Sequence, residues 1–174
     1  MKILANVLED NTIKTLLEIS KNVISGNSNN YKVWTNLGWD KRIVLGSGTI
    51  ICIAVPGNLV LEIEKKLISL GIIDLGIHKS LFETKTAWMY IYPNGAYIPP
   101  HKDSIYAKAI SIYLNKDWSL SDGGLFCYSD NNEIKCVIPE YNLGVQNTQA
   151  EQHFTTPVTS DKLRISLQIF VINK

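Results

Sequence analysis

His101 and Asp103, followed much later by His153 and then by Arg164-Ile165-Ser166, are the residues of this chain whose types and order could do chemistry. Residues i and i+2 of an extended segment project to the same side, so His101 and Asp103 can reach one ion together. Pro99-Pro100 just before them favours extension. His153 would approach from another strand. Two imidazoles and one carboxylate fill three positions of an octahedral ion and leave three open, a donor set suited to Fe(II) and dioxygen. Arg164 is a cation that stays charged and can grip a carboxylate with two parallel hydrogen bonds. A zinc hydrolase could also use two histidines and an aspartate, but Arg164-Ile165-Ser166 would then have no role.

The elements that must position these groups divide the chain in two. In the first half, Ile13, Leu16, Leu17, Ile19, Val23 and Ile24 recur at helical spacing and predict an amphipathic helix over residues 10–25, ended by the polar run from Gly26 to Asn30. Residues 43–55 are rich in β-branched side chains and predict one or two strands. Pro56-Gly57-Asn58 opens a second helix, about residues 59–70, stopped by Gly71. The second half reads as strand after strand between Pro-Asn-Gly, Asp-Gly-Gly and Asn-rich turns. Helices first and strands later predict an α+β domain. Three of the strands are two-faced: Trp88, Tyr90 and Tyr92 against Met89 and Ile91; Ser111 and Tyr113 against Ile110, Ile112 and Leu114; Arg164, Ser166, Gln168 and Phe170 against Ile165, Leu167, Ile169 and Val171. Either the polar faces meet water, or they converge in the mouth of a barrel or sandwich where ligands bind. The metal pattern favours convergence.

Composition narrows the classes. A length of 174 residues predicts a single domain, and a net charge of +1 gives no electrostatic case for nucleic acid. The start meets Glu9 and Asp10 too early for a signal peptide, and the most apolar stretch is too broken by Gly and Pro to span a bilayer. Cys52, Cys127 and Cys136 are odd in number and scattered, which predicts reduced thiols and a cytoplasmic protein. His78 is read as a loop or surface histidine. Trp34, Trp39 and Tyr31 are read as packing, or as substrate contacts if exposed.

From about residue 88 to 171 the chain resembles the Fe(II)/2-oxoglutarate-dependent dioxygenase superfamily, in its prolyl-hydroxylase branch. The resemblance is carried by Tyr92-Pro93-Asn94-Gly95, His101-Lys102-Asp103, the run Tyr113-Leu114-Asn115-Lys116-Asp117-Trp118, Asp122-Gly123-Gly124-Leu125, His153, Pro157-Val158 and Arg164-Ile165-Ser166. It implies a double-stranded β-helix, a jelly-roll or cupin-like squashed barrel with the N-terminal helices packed on one sheet. It also implies one catalytic domain over 1–174, with helical support and outer strands in 1–87 and the barrel core in 88–172.

Carried over by position, His101, Asp103 and His153 would bind Fe(II). Arg164 would pair with the distal carboxylate of 2-oxoglutarate, helped by Tyr113 and Ser166. Tyr92 would stand near the cosubstrate, with Tyr90 on the same face as its alternate. The implied reaction consumes dioxygen and 2-oxoglutarate, releases succinate and CO2, and hydroxylates an unactivated C–H bond, with ascorbate a candidate reductant. An amino-acid side chain of a peptide or protein, prolyl included, is the first substrate reading, and a free amino acid or other small metabolite the second. A non-catalytic barrel that binds a ligand is the reading from another class. Neither a nucleic-acid nor a membrane partner is expected, and the oligomeric state is not readable.

Overall fold

The computed structural model describes residues 1–35, 49–103, 105–148 and 151–174. Trp39 and the first part of the predicted strand region 43–55 lie outside them. In chain order the elements are β1 (Lys2–Ala5), α1 (Asp10–Ile24), β2 (Val33–Thr35), β3 (Ile51–Ala54), α2 (Gly57–Ser69), α3 (Leu81–Thr84), β4 (Ala87–Tyr92) and β5 (Lys108–Tyr113). They continue with β6 (Phe126–Asp130), β7 (Glu133–Val137), β8 (Leu143–Thr148), β9 (His153–Thr155) and β10 (Arg164–Val171). Seven strands form one sheet in the order β1-β8-β5-β10-β4-β3-β2, and three form a second in the order β7-β6-β9. All the strand pairings are antiparallel.

Both long helices fall where the periodicity puts them, α2 starting two residues early because Pro56 fixes its entry with φ at −57°. Both end alike. Gly26 and Gly71 have φ of 84° and 67°. Each donates its N–H to the carbonyl three residues back, and the next N–H reaches the carbonyl five back (Gly71 to Ile68 at 2.9 Å, Ile72 to Leu67 at 2.9 Å). This closure needs a left-handed residue that glycine adopts without a Cβ clash.

The apolar faces of the helices cover one face of the large sheet. Ile13, Leu16, Ile19 and Val23 of α1 and Leu59, Val60, Ile63 and Leu67 of α2 join Met89, Ile91, Ile110, Ile112, Leu167 and Ile169 in one core. Removing the side chain of a fully buried leucine from such a core typically costs about 2–5 kcal/mol. Because strand side chains alternate, this packing turns the other set of residues to the opposite face. There Phe126 of the small sheet packs with Tyr113 and Val145 of the large one. The two sheets thus hold the polar faces of β4, β5 and β10 between them, as the convergent reading requires. Among the described residues no helix is long and apolar enough to cross a membrane.

Two expectations are corrected. Cys127 and Cys136 are joined by a disulfide, and Cys52 is a buried cysteine outside that bond. The pairing follows from the β6–β7 hairpin, which sets the two cysteines directly opposite each other. Its turn residues Asn131 and Asn132, with φ of 50° and 65°, suit the two-residue loop of a tight hairpin. With two of the three cysteines bonded, the cysteines give no support for a reducing compartment. His78 is 3% exposed and bridges to Asn173, so it is buried and not a surface residue. Its Nδ1 accepts the Asp74 N–H at 3.0 Å, and burial, with Lys108 nearby, holds its pKa below the ordinary histidine value.

Candidate active site

His101 and His153 are brought together by the backbone. Each accepts the other's N–H, at 2.9 and 3.0 Å, as a pair of facing antiparallel residues. The extension expected from Pro99-Pro100 is thus present, with Ile98 also paired to Thr155. The rings lie 4.3 Å apart between centroids, and Phe126 stacks on His153. Asp103 completes the group: its carboxylate oxygens stand 3.7 Å from Nε2 of His101 and 3.4 Å from Nε2 of His153. One ligand atom from each residue falls within 4.8 Å of the others.

The hydrogen bonds assign the tautomers. Nδ1 of His101 meets the Pro99 carbonyl at 2.9 Å, and Nδ1 of His153 meets the Glu151 carbonyl at 3.1 Å. Each Nδ1–H therefore donates to a backbone carbonyl two residues upstream, and both Nε2 lone pairs face Asp103. Burial and the neighbouring His153 lower the pKa of His101, which favours the neutral, ligating form.

Arg164 enters the same cavity from the first residue of β10. The cavity encloses about 390 Å³ including its mouth. On the large sheet, Arg164 pairs with Tyr92, Ser166 with Tyr90 and Tyr113, Gln168 with Trp88 and Ser111, and Phe170 with Ala109. Tyr92 and Tyr90 both line the cavity, and Tyr92 is the one beside the arginine. The guanidinium is 1% exposed and lies over the Tyr92 ring at 4.6 Å and the Tyr113 ring at 5.1 Å. Among the described residues no carboxylate pairs with it. Its Nε and the hydroxyl of Tyr113 are buried without hydrogen-bond partners. Burial pushes the Tyr92 hydroxyl up to about 12 against the opposing pull of Arg164, and it raises that of Tyr113 in the same way. Both stay neutral phenols. Ser166 accepts from Gln168 Nε2 at 3.0 Å and lies 3.5 Å from Arg164 Nη1, while Ser111 donates to Gln168 Oε1 at 2.7 Å.

Other residues of the sequence motifs build the frame. Asn115 brackets Arg164, donating to the Leu163 carbonyl at 2.7 Å and accepting the Ile165 N–H at 2.6 Å. Trp118 donates to the Gly123 carbonyl at 3.0 Å, and Asp122 accepts from Ser119 and Lys162. The turn so fixed lays Gly124 against Arg164. Gly124 has φ of +60°, and a Cβ there would stand 2.7 Å from Arg164 Cδ. Tyr31 packs on the helix-side core, and Trp34 packs against Trp88 with centroids 4.8 Å apart.

Sequence reasoning missed Asn147, which is 1% exposed and donates to Asp103 Oδ2 at 3.0 Å. No motif marks it. Strand alternation puts Gln168 and Ser111 on the cavity face, but it does not show the hydrogen bond between them.

No family model matches the chain, and no curated protein matches it in sequence. Solved structures do match its fold. A prolyl-4-hydroxylase from Pseudomonas putida aligns with TM-score 0.64 and 18% identity, over 99% of this chain and 92% of that one. A prolyl hydroxylase from Trichoplax adhaerens, solved with a peptide fragment of the hypoxia inducible factor oxygen degradation domain, aligns with TM-score 0.70 and 16% identity, over 99% and 83%. SnoN, a non-heme alpha-ketoglutarate-dependent epimerase of nogalamycin biosynthesis, aligns with TM-score 0.70 and 11% identity, over 98% and 76%. The chain therefore has the fold of the prolyl hydroxylases and other 2-oxoglutarate Fe(II) oxygenases. At these identities the likeness is one of fold.

Proposed function

We propose that the protein is an Fe(II)- and 2-oxoglutarate-dependent dioxygenase that hydroxylates an amino-acid side chain, prolyl among the candidates, in a peptide or protein. On this reading residues 1–174 are one catalytic domain, and the two sheets are the walls of a double-stranded β-helix. The observation that carries it is a buried arginine that, among the described residues, has no carboxylate partner and lies in the same cavity as a His-Asp-His cluster. An isolated buried charge is costly, so the site is built for an anion. Charge balance supports a dianion: two positive charges of iron and one of Arg164 match one negative charge of Asp103 and two of 2-oxoglutarate.

His101, Asp103 and His153 would hold the metal through both Nε2 atoms and a carboxylate oxygen. Bound iron, with 2-oxoglutarate as co-reductant, supplies the activation of dioxygen and the oxidation of a C–H bond, with release of succinate and CO2. Arg164 grips the far carboxylate of the cosubstrate. Tyr113, through its unpartnered hydroxyl, and Ser166 add donors, and Tyr92 packs the guanidinium into position. These three neutral groups orient the dianion without adding charge. The complex of the Trichoplax prolyl hydroxylase with a peptide fragment motivates the peptide reading.

Adding Fe(II) and 2-oxoglutarate without oxygen should produce a visible metal-to-ligand charge-transfer band. Its absence points instead to a metal-free binding module. Succinate release is then screened with ascorbate present, over peptides and free amino acids, with mass spectrometry for a gain of one oxygen. Oxygen gain only on free amino acids replaces the peptide reading with the metabolite one.

Gly124→Ala tests the anchor from behind. Its Cβ would push on Arg164, and its left-handed backbone costs roughly 1–2 kcal/mol for a non-glycine residue. Cosubstrate binding, measured by calorimetry on the metal-loaded protein, should weaken roughly 10-fold or more. Unchanged affinity would mean that the guanidinium has room to move or is not the anchor.

A further inference from the structure

The backbone orients the two histidines of the cluster, but it does not orient the aspartate. Each imidazole is pinned through Nδ1 to a carbonyl of its own extended segment. A carboxylate, in contrast, turns about its Cβ–Cγ bond and can offer a metal one oxygen or two. Among the described residues, Asp103 takes its side-chain hydrogen bond from Asn147, whose Nδ2 donates to Oδ2 at 3.0 Å. The same nitrogen lies 3.4 Å from Nδ1 of His153. Asn147 stands in β8 opposite Ala109 and lines the cavity, so the large sheet delivers the amide to the cluster.

We propose that Asn147 is a positioning residue of the metal centre: its amide N–H occupies one oxygen of Asp103 and keeps the aspartate a one-oxygen ligand. The inference rests on the reading of His101, Asp103 and His153 as metal ligands. A second carboxylate oxygen on the metal would take one of the three positions that a chelating 2-oxoacid and dioxygen need. A neutral amide suits the task. An ammonium here would cancel the charge that attracts a divalent ion, and another carboxylate would repel Asp103.

The test titrates Co(II) into metal-free protein and follows its visible ligand-field absorption, which reports coordination without turnover. Asn147→Ala and Asn147→Leu are compared with wild type. Leucine fills the volume that alanine vacates, so a folding defect in one variant is separated from loss of the N–H by the other. Asn142→Ala is the control. Asn142 is also a buried asparagine, but its amide spans the Leu8 N–H and carbonyl, both at 2.8 Å, away from the cluster.

Both Asn147 variants should bind Co(II) about 10–100-fold more weakly, with an altered absorption. Adding 2-oxoglutarate should change their spectra less than it changes that of wild type. The control should lower the Tm and leave the Co(II) affinity in place. Wild-type affinity and spectrum in both Asn147 variants, or an equal loss in the control, overturn the role of Asn147 and leave the metal cluster standing. A wild-type protein that binds no Co(II), or an Asp103→Ala variant that binds it as tightly, removes the cluster itself and this inference with it.

Discussion

Asp103→Ala should yield a folded protein that neither retains Fe(II) nor releases succinate. The side chain is 8% exposed and supplies the only negative charge of the cluster. Without it, two neutral imidazoles face a dication in a site that excludes most water, and no charge offsets the loss of its hydration. His101→Ala should abolish turnover as well, by removing one of the two nitrogen ligands. Thermal unfolding in a chelator separates this outcome from misfolding. A buried carboxylate held by one amide stabilises little when no cation is present, so the metal-free Tm of Asp103→Ala should stay level or rise. Acid gives a second check. The lowered pKa of His101 means that the proton leaves before neutral pH. Metal binding by wild type should therefore be flat around neutrality and fall as pH drops through and below the ordinary histidine range. Full iron-dependent activity in either variant would overturn the ligand assignment.

The parts of this site legible in the sequence are those encoded by strand alternation. His101 and Asp103 share a side because they are two apart in an extended segment, and Arg164, Ser166 and Gln168 share one for the same reason. The helices were legible because each carries an apolar stripe and ends at a glycine. What stayed hidden depends on register between segments far apart in the chain. Asn147 reaches Asp103 because β8 pairs with β5 so that Asn147 lies opposite Ala109, and no local pattern encodes that alignment. The Cys127–Cys136 bond was missed although its hairpin is local. The count and scatter of cysteines carry no sign of it, whereas the tight Asn131-Asn132 turn sets the two opposite each other. His78 looked like a surface residue because its burial comes from the chain's last strand-like segment around Asn173.

Arg164→Ala should weaken 2-oxoglutarate binding by about 2–5 kcal/mol, the usual cost of truncating one partner of a buried charge pair. That is a rise in KM of roughly 30-fold or more, with Co(II) affinity unchanged because Arg164 touches none of the proposed ligands. Arg164→Lys should restore little. A point charge on a flexible stem cannot reproduce the planar fork that Tyr92 and Tyr113 flank. The same variant has an opposite effect without ligand. In the cosubstrate-free protein the guanidinium is a buried cation with an unpartnered Nε, and removing it relieves that cost. Arg164→Ala should thus raise the Tm of the ligand-free protein, or leave it level, while losing most of the Tm increase that 2-oxoglutarate gives the metal-loaded wild type. A merely structural arginine predicts the reverse: a lower ligand-free Tm and an intact ligand-induced shift. The two signs together decide whether the uncompensated charge between the sheets is a flaw in the packing or the means by which the protein holds a dianion.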